Sequence, residues 1–300
     1  MIRCIQTIMP YIQHKLGKTF YLSQGPKNTS NLPIVGLHGG PGSTHSGRLA
    51  LLNLSNKRKV YIYDQIGGGK SSVTQQKHWT IETFTQELHT LIQAWGLKQF
   101  HLYGGSWGTT LALEYYLRYK NNGVASLIFQ SPLFSGKDWS NDAKVLIKKL
   151  PQKYQKIIRY CHEIGATDAA VYQQAMHEYY KRHVLRDEKK LSQMLNPKKG
   201  KNNNGKNIYQ YMWGESEFFP TGTLKNYNQV QALKKITVPC LLMCGQYDEA
   251  RPETSQKYTK MIKSAQYKTI KGAAHAVLTE KPNEVLKHVG QFISEVEKRR

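Results

Sequence analysis

The chain has 300 residues, 39% of them apolar and 11% aromatic, a balance that excludes a disordered polyelectrolyte and suits a globular protein with a sizeable core. It contains no run of about 18 apolar residues, so no membrane-spanning helix is expected. Its 43 Lys and Arg against 20 Asp and Glu give a formal charge of +23 and raise the question of nucleic acid. The densest basic stretch, KRHVLRDEKKLSQMLNPKKGKNNNGK (181–206), holds no helix-turn-helix turn, zinc ligands or RNP-like aromatic strand. It reads as a solvated helix and loop, and no specific nucleic-acid partner and no membrane partner are expected.

The N-terminal MIRCIQTIMPYIQHKLGKTFYL lacks a continuous apolar segment and a small-residue cleavage site, so it is read as mature protein rather than a signal peptide. LPIVGLHGGPG (32–42) begins as a buried strand and ends in a glycine loop, and KVYIYDQIGGGKS (59–71) repeats the pattern. TIETFTQELHTLIQAWG (80–96) places Ile81, Phe84, Leu88, Leu91, Ile92 and Trp95 at helical spacing, with Thr80 as N-cap. QFHLYGGS is a strand, WGTTLALEYYLRYKNNG a helix closed by Asn-Asn-Gly, and VASLIFQSP a further strand. Strand and helix alternate over about 32–132, which predicts an α/β fold with a mostly parallel sheet and helices on both faces.

Residues 134–228 break the pattern, being charged, helical and rich in Lys, Gln and Tyr. A strongly apolar strand returns in ITVPCLLMCGQYDEARP (236–252), followed by a helix and by QYKTIKGAAHAV (266–277). The expected organisation is a core of residues 1–133 and 229–300 with a helical cap, 134–228, inserted between its halves. The four cysteines, Cys4, Cys161, Cys240 and Cys244, match neither a disulfide framework nor a zinc site, so a reducing cytoplasm is the expected setting.

Ser106 lies in YGGSWGTT (103–110), at a strand-to-helix junction, with Gly104 and Gly108 on either side. This is the spacing of a nucleophile elbow, in which glycines let strand and helix approach and the hydroxyl sits near a helix N-terminus. A serine hydroxyl is a weak nucleophile without a base, and the base needs a carboxylate to orient it. Asp248, after the strand VPCLLMCG, and His275, in GAAH, follow Ser106 in the order Ser, Asp, His, each at the carboxyl end of a strand. Most other histidines are assigned to the surface. An oxyanion needs two N–H donors: Trp107, after the serine, is one, and Gly40 of HGGPG (38–42) is the choice for the second, with Gly39 a near alternative.

HGGPG, DQIGGGKS (Asp64 to Ser71) and GGSWGTTLAL occur together and in order, and with them the chain resembles the proline iminopeptidases, serine peptidases of the α/β-hydrolase fold, over most of its length. EYYKRHVLR and MWGESEF look closest to the tricorn-interacting aminopeptidase branch. The resemblance implies release of an N-terminal residue, often proline, from short peptides with a free N-terminus, with no metal and no other cofactor. It also implies that the substrate ammonium is held by Glu217 and Glu249, two carboxylates serving as counter-charges in a partly desolvated pocket. Trp107, Phe134, Trp139, Trp213 and Phe218 are positioned either to wall a proline-sized pocket or to pack the core. An amidase or small-ester hydrolase on the same triad is the alternative activity, and a non-catalytic binding protein the alternative class. Dehalogenase or epoxide-hydrolase chemistry is disfavoured because those enzymes carry aspartate at the elbow.

Overall fold

Uninterrupted runs of Val, Ile, Leu and Phe become strands buried on both faces, and they organise the molecule. The structure, a computed structural model, describes residues 10–119, 123–195 and 204–300. Its strands are β1 (Tyr11–His14), β2 (Gly17–Gln24), β3 (Ile34–Leu37), β4 (Val60–Tyr63), β5 (Phe100–Gly105), β6 (Val124–Gln130), β7 (Cys240–Gly245) and β8 (Ala265–Ile270). They form one eight-stranded sheet in the order β1-β2-β4-β3-β5-β6-β7-β8. Pairing is parallel from β4 through β8, and antiparallel where β2 meets β1 and β4.

Alternate residues of each strand feed separate cores on the two faces. Val35, Leu102, Leu127 and Leu242 join one cluster, with α1 (Ile81–Ala94), α2 (Trp107–Arg118) and α8 (Pro252–Thr259) packed on it. Ile34, Tyr103, Ile128 and Leu241 join the other, covered by α9 (Val277–Glu280) and α10 (Pro282–Lys298). Helix α1 starts at the expected N-cap, where Thr80 Oγ1 accepts from Thr83 N at 3.1 Å. Gly96, at φ +67°, lies just past its end.

Between β6 and β7 lie α3 (Gly136–Ile147), α4 (Gln152–Glu163), α5 (Ala170–His183), α6 (Glu188–Leu195) and α7 (Asn204–Met212). An antiparallel bridge between Ser135 and Asn228 brings together the points where this helical segment leaves and rejoins the sheet. Its own core holds Leu146, Ile158, Tyr172, Tyr179 and Phe218, whereas Trp139, Met212, Trp213 and Leu224 pack into a sheet-face cluster. The segment is therefore welded to the sheet by its aromatic residues.

Two features depart from the sequence reading. The β1–β2 hairpin precedes the first expected strand. Its burial is irregular along GKTFYLSQ, with only Thr19 and Phe20 buried, so the sequence shows no clean alternation. Buried histidines are also more common than expected: His101 is fully buried, bonded to Ser126 Oγ (2.7 Å) and facing Glu297 Oε1 (3.2 Å), and His183 is 8% exposed. Cys161, Cys240 and Cys244 are buried and free. Cys4, Asn121, Asn122 and residues 196–203 of the basic stretch lie outside the described residues. Among the described residues no helix is long and apolar enough to cross a membrane.

Candidate active site

Strand β5 ends at Gly105, and α2 begins immediately after Ser106, which caps it at φ 54°, ψ −125°. A non-glycine residue at positive φ is strained and persists only where surrounding packing enforces it. The enforcing contacts are visible at the flanking glycines. A Cβ on Gly104 would lie 2.2 Å from Gly108 O, and one on Gly108 would lie 2.6 Å from Leu37 O and 2.8 Å from His38 O. Strand β5, helix α2 and the loop after β3 can meet only if both positions lack side chains.

The loops after β7 and β8 carry Asp248 and His275. His275 Nδ1 is 2.7 Å from Asp248 Oδ1. The carboxylate, 1% exposed, accepts further bonds from Ala250 N (2.9 Å), Gly245 N (3.1 Å) and Ser131 Oγ (2.6 Å). Four donors thus satisfy the hydrogen-bonding capacity of this buried carboxylate. It holds the Nδ1 proton of His275 and leaves Nε2 free to accept. Ser131, itself at φ 53°, also reaches His275 O at 3.2 Å. Cap-side backbone completes the clamp: His183 O accepts from Glu249 N (3.2 Å) and His275 N (3.1 Å), and Val184 O accepts from Ala276 N (2.8 Å). Trp139 sets its ring edge-on to His275 with centroids 5.5 Å apart.

On the other side, His38 organises the HGGPG loop. Its Nε2 accepts from Gln65 N (3.1 Å), so its Nδ1 carries the proton and donates to Gly39 O (2.9 Å). Burial pushes its pKa down to about 4 and keeps the ring neutral. Carbonyl and N–H of a trans peptide point in opposite directions, so anchoring Gly39 O turns the Gly40 N–H away from His38. Trp107 N–H is the first donor of α2, one of those a helix leaves unpaired. The Trp107 indole donates to Gln65 Oε1 at 2.9 Å. Asp64 accepts from His45 N, His45 Nδ1 and Lys70 N at 2.6, 2.7 and 2.9 Å. Burial acts to raise the Asp64 pKa, but these bonds outweigh it and hold the group below the ordinary carboxylate value. The Asp-Gln motif thus ties the glycine loop to the serine turn.

Ser106, His275, Gly39, Gly40, Glu217 and Glu249 line one cavity of about 260 Å³. Glu217 Oε2 accepts from the Tyr209 hydroxyl, and from Tyr180 at 3.5 Å. Glu249 Oε1 is 3.8 Å from His275 Nδ1, while its Oε2 is buried without a hydrogen-bond partner. Burial raises the pKa of both groups, and for Glu249 repulsion from Glu217 and Asp248 adds to it, lifting it well above the usual value. Desolvated carboxyl groups are costly to ionise without a neighbouring cation, and one of these oxygens has no hydrogen-bond partner. Among the described residues no His, Cys, Asp and Glu side chains group as a metal site.

Of the sequence-selected site residues, all but Asp248 and Trp107 line this cavity: Asp248 touches it through His275, and Trp107 follows Ser106 directly. Among the aromatic candidates, Trp139 touches His275, while Trp107, Phe134, Trp213 and Phe218 are packed into buried clusters. The cavity wall is instead Tyr180, Tyr209, Val184, Met194 and Leu278. Sequence reasoning also missed Ser131 and His183. Ser131 shows itself only through the Gln-Ser-Pro ending of β6, and His183 only through proximity in space.

A mostly parallel sheet with a strained serine turn after β5, and an Asp–His pair in the loops after β7 and β8, defines an α/β hydrolase. The α/β-hydrolase fold family model matches residues 33–282. The chain is 39% identical over 271 residues to a proline iminopeptidase of Heyndrickxia coagulans, covering 90% of this chain and 93% of that one. It is 31% identical to that of Lactobacillus helveticus, over 97% of this chain and 98% of the relative. A solved proline iminopeptidase structure from Mycobacterium smegmatis superposes with a TM-score of 0.84 at 29% identity, over 97% of this chain and 99% of that chain. Within the α/β hydrolases, this chain belongs to the proline iminopeptidase family.

Proposed function

We propose that the protein is a serine aminopeptidase that releases an N-terminal residue, preferentially proline, from short peptides. Ser106 attacks the carbonyl carbon of the first residue while His275 Nε2 takes the hydroxyl proton. Asp248 keeps the Nδ1 proton in place and stabilises the imidazolium. The N–H groups of Gly40 and Trp107 receive the oxyanion. His275 then passes its proton to the leaving amine, and the C–N bond breaks to give an acyl-enzyme. Water, deprotonated by His275, attacks that ester, freeing the amino acid and restoring Ser106. The helical segment 134–228 acts as the cap that carries Glu217 over the site.

The observation that carries this reading is that two buried carboxyl groups share the cavity of the serine and histidine. An esterase has no use for them, whereas a free α-ammonium beside the scissile carbonyl needs such counter-charges. The test is hydrolysis of proline-β-naphthylamide beside its N-acetylated twin, with wild type and Ser106→Ala. Cleavage confined to the free amine, and lost in the variant, is the expected result. Equal cleavage of both compounds would replace the aminopeptidase reading by an amidase or esterase on the same residues.

A further inference from the structure

Arg48 is a buried cation with no counter-ion among the described residues. It lies on the 3-10 helix His45–Leu54 that follows the glycine loop, and it is 7% exposed. Its Nε donates to Leu37 O at 2.9 Å and its Nη1 to Gly47 O at 2.7 Å. Its Cζ sits 5.7 Å from the Tyr103 ring centroid. Among the described residues no carboxylate lies within ion-pair distance of it. A guanidinium held only by neutral carbonyls in a desolvated setting is costly, and such a group is a receptor for an anion. Burial lowers its pKa, but an arginine remains charged at neutral pH.

Its position relates that charge to the reaction. The guanidinium fills the space that a side chain at Gly105 would take, since a Cβ there would fall 1.9 Å from Nη2. A Cβ on Gly39 would lie 3.7 Å from the same nitrogen and 3.1 Å from Ser106 Cβ. Arg48 lines the cavity together with Ser106, Gly47 and Thr279, and the same cavity has Glu217 and Glu249 in its wall. In a dipeptide the C-terminal carboxylate carbon is only three bonds from the scissile carbonyl carbon, about 4 Å when extended. A carboxylate at that distance from a carbonyl poised over Ser106 is within hydrogen-bonding reach of a guanidinium packed against the neighbouring residue.

We propose that Arg48 binds the C-terminal carboxylate of the leaving residue, making free dipeptides the preferred substrates. This rests on the aminopeptidase reading. The cavity then carries charges complementary to a zwitterion: carboxylates for the ammonium and a guanidinium for the carboxylate. A longer or amidated peptide presents a neutral amide where the arginine stands and leaves it unpaired.

The experiment compares kcat/KM for Pro-Ala and Pro-Ala-amide at one ionic strength, following released proline, in wild type and Arg48→Met. The expected wild-type ratio favours the dipeptide by at least about tenfold, the worth of one charge-assisted contact, and falls to near one in the variant. A wild-type ratio near one, or one favouring the amide, overturns the proposal while the aminopeptidase reading stands. Cleavage of neither peptide overturns both. If Arg48→Met does not fold, the wild-type ratio still decides, supported by stronger product inhibition from alanine than from alaninamide; equal inhibition counts against Arg48.

Discussion

Replacing Glu217 by Gln keeps the shape of the side chain and its contacts with Tyr209 and Tyr180 but removes one of the two charges that we propose hold the substrate ammonium. Two unit charges about 4 Å apart interact by about 4 kcal/mol at an effective dielectric of about 20. Truncating one partner of a buried charge pair costs about 2–5 kcal/mol. Glu249 remains, and without the repulsion that raises its pKa it ionises more readily and recovers part of the loss. The net expectation is about 3 kcal/mol, a fall of about 150-fold in kcat/KM for proline-β-naphthylamide. Any neutral acyl compound the enzyme hydrolyses, even slowly, should change less than about threefold, because it makes no use of the charge. Steady-state kinetics on both compounds with one purified variant gives the comparison. Equal losses on the two would refute the reasoning, since they would mean that Glu217 supports the fold of the site rather than the ammonium.

Ammonium binding should release protons, because the pKa of both glutamates is raised in the empty site and a bound cation drives them to ionise. Affinity therefore rises with pH through that range. Calorimetric titration of Ser106→Ala with a proline peptide, in buffers of different ionisation enthalpy, measures the release; no net proton change would count against the pair as receptor. Ser131→Ala removes a 2.6 Å bond to Asp248 and should cost about 1.5–3 kcal/mol, read as a kcat lower by about tenfold or more; an unchanged kcat would mean that the bond does not support the Asp–His pair. Gly108→Ala sets a methyl against two carbonyl oxygens and should lose at least about 3 kcal/mol in urea unfolding; near wild-type stability would contradict the close approach of β3 and α2. Burial acts to raise the Glu297 pKa, but bonds from His101, Arg58 and Leu32 N outweigh it and lower the group to about 2. Its stabilisation is present above the ordinary carboxyl pKa of 4.5 and is lost as pH falls toward 2. Glu297→Gln should lower stability by about 2 kcal/mol at pH 7, the pair being partly solvated, and flatten the acid limb of a stability–pH curve.

The sequence by itself determined the parallel sheet, its helices and the elements bearing the chemistry. Continuous apolar runs have one stable setting, a strand covered on both faces. The glycines around Ser106 and in HGGPG record backbone approaches that no other residue permits. What stood in short contiguous motifs was therefore legible: the serine turn, the glycine loop, the Asp–His order and, through family resemblance, Glu217 and Glu249. The hairpin of β1 and β2 was not, because its residues are only partly buried and carry no clean period. Nor was the cavity wall. Tyr180 and Tyr209 come from helices, and Val184 from the turn that ends one; their sequence shows which residues are apolar, but not which ones face His275 across the fold. Ser131 became an Asp248 partner, and His183 a backbone clamp on the loops bearing Asp248 and His275, only when strand ends distant in the chain were brought together. The same is true of Arg48, one basic residue among 43 Lys and Arg. Folding alone buried it beside Ser106 with no carboxylate at hand among the described residues, because a side chain's electrostatic partners are set by tertiary contacts that local pattern does not encode.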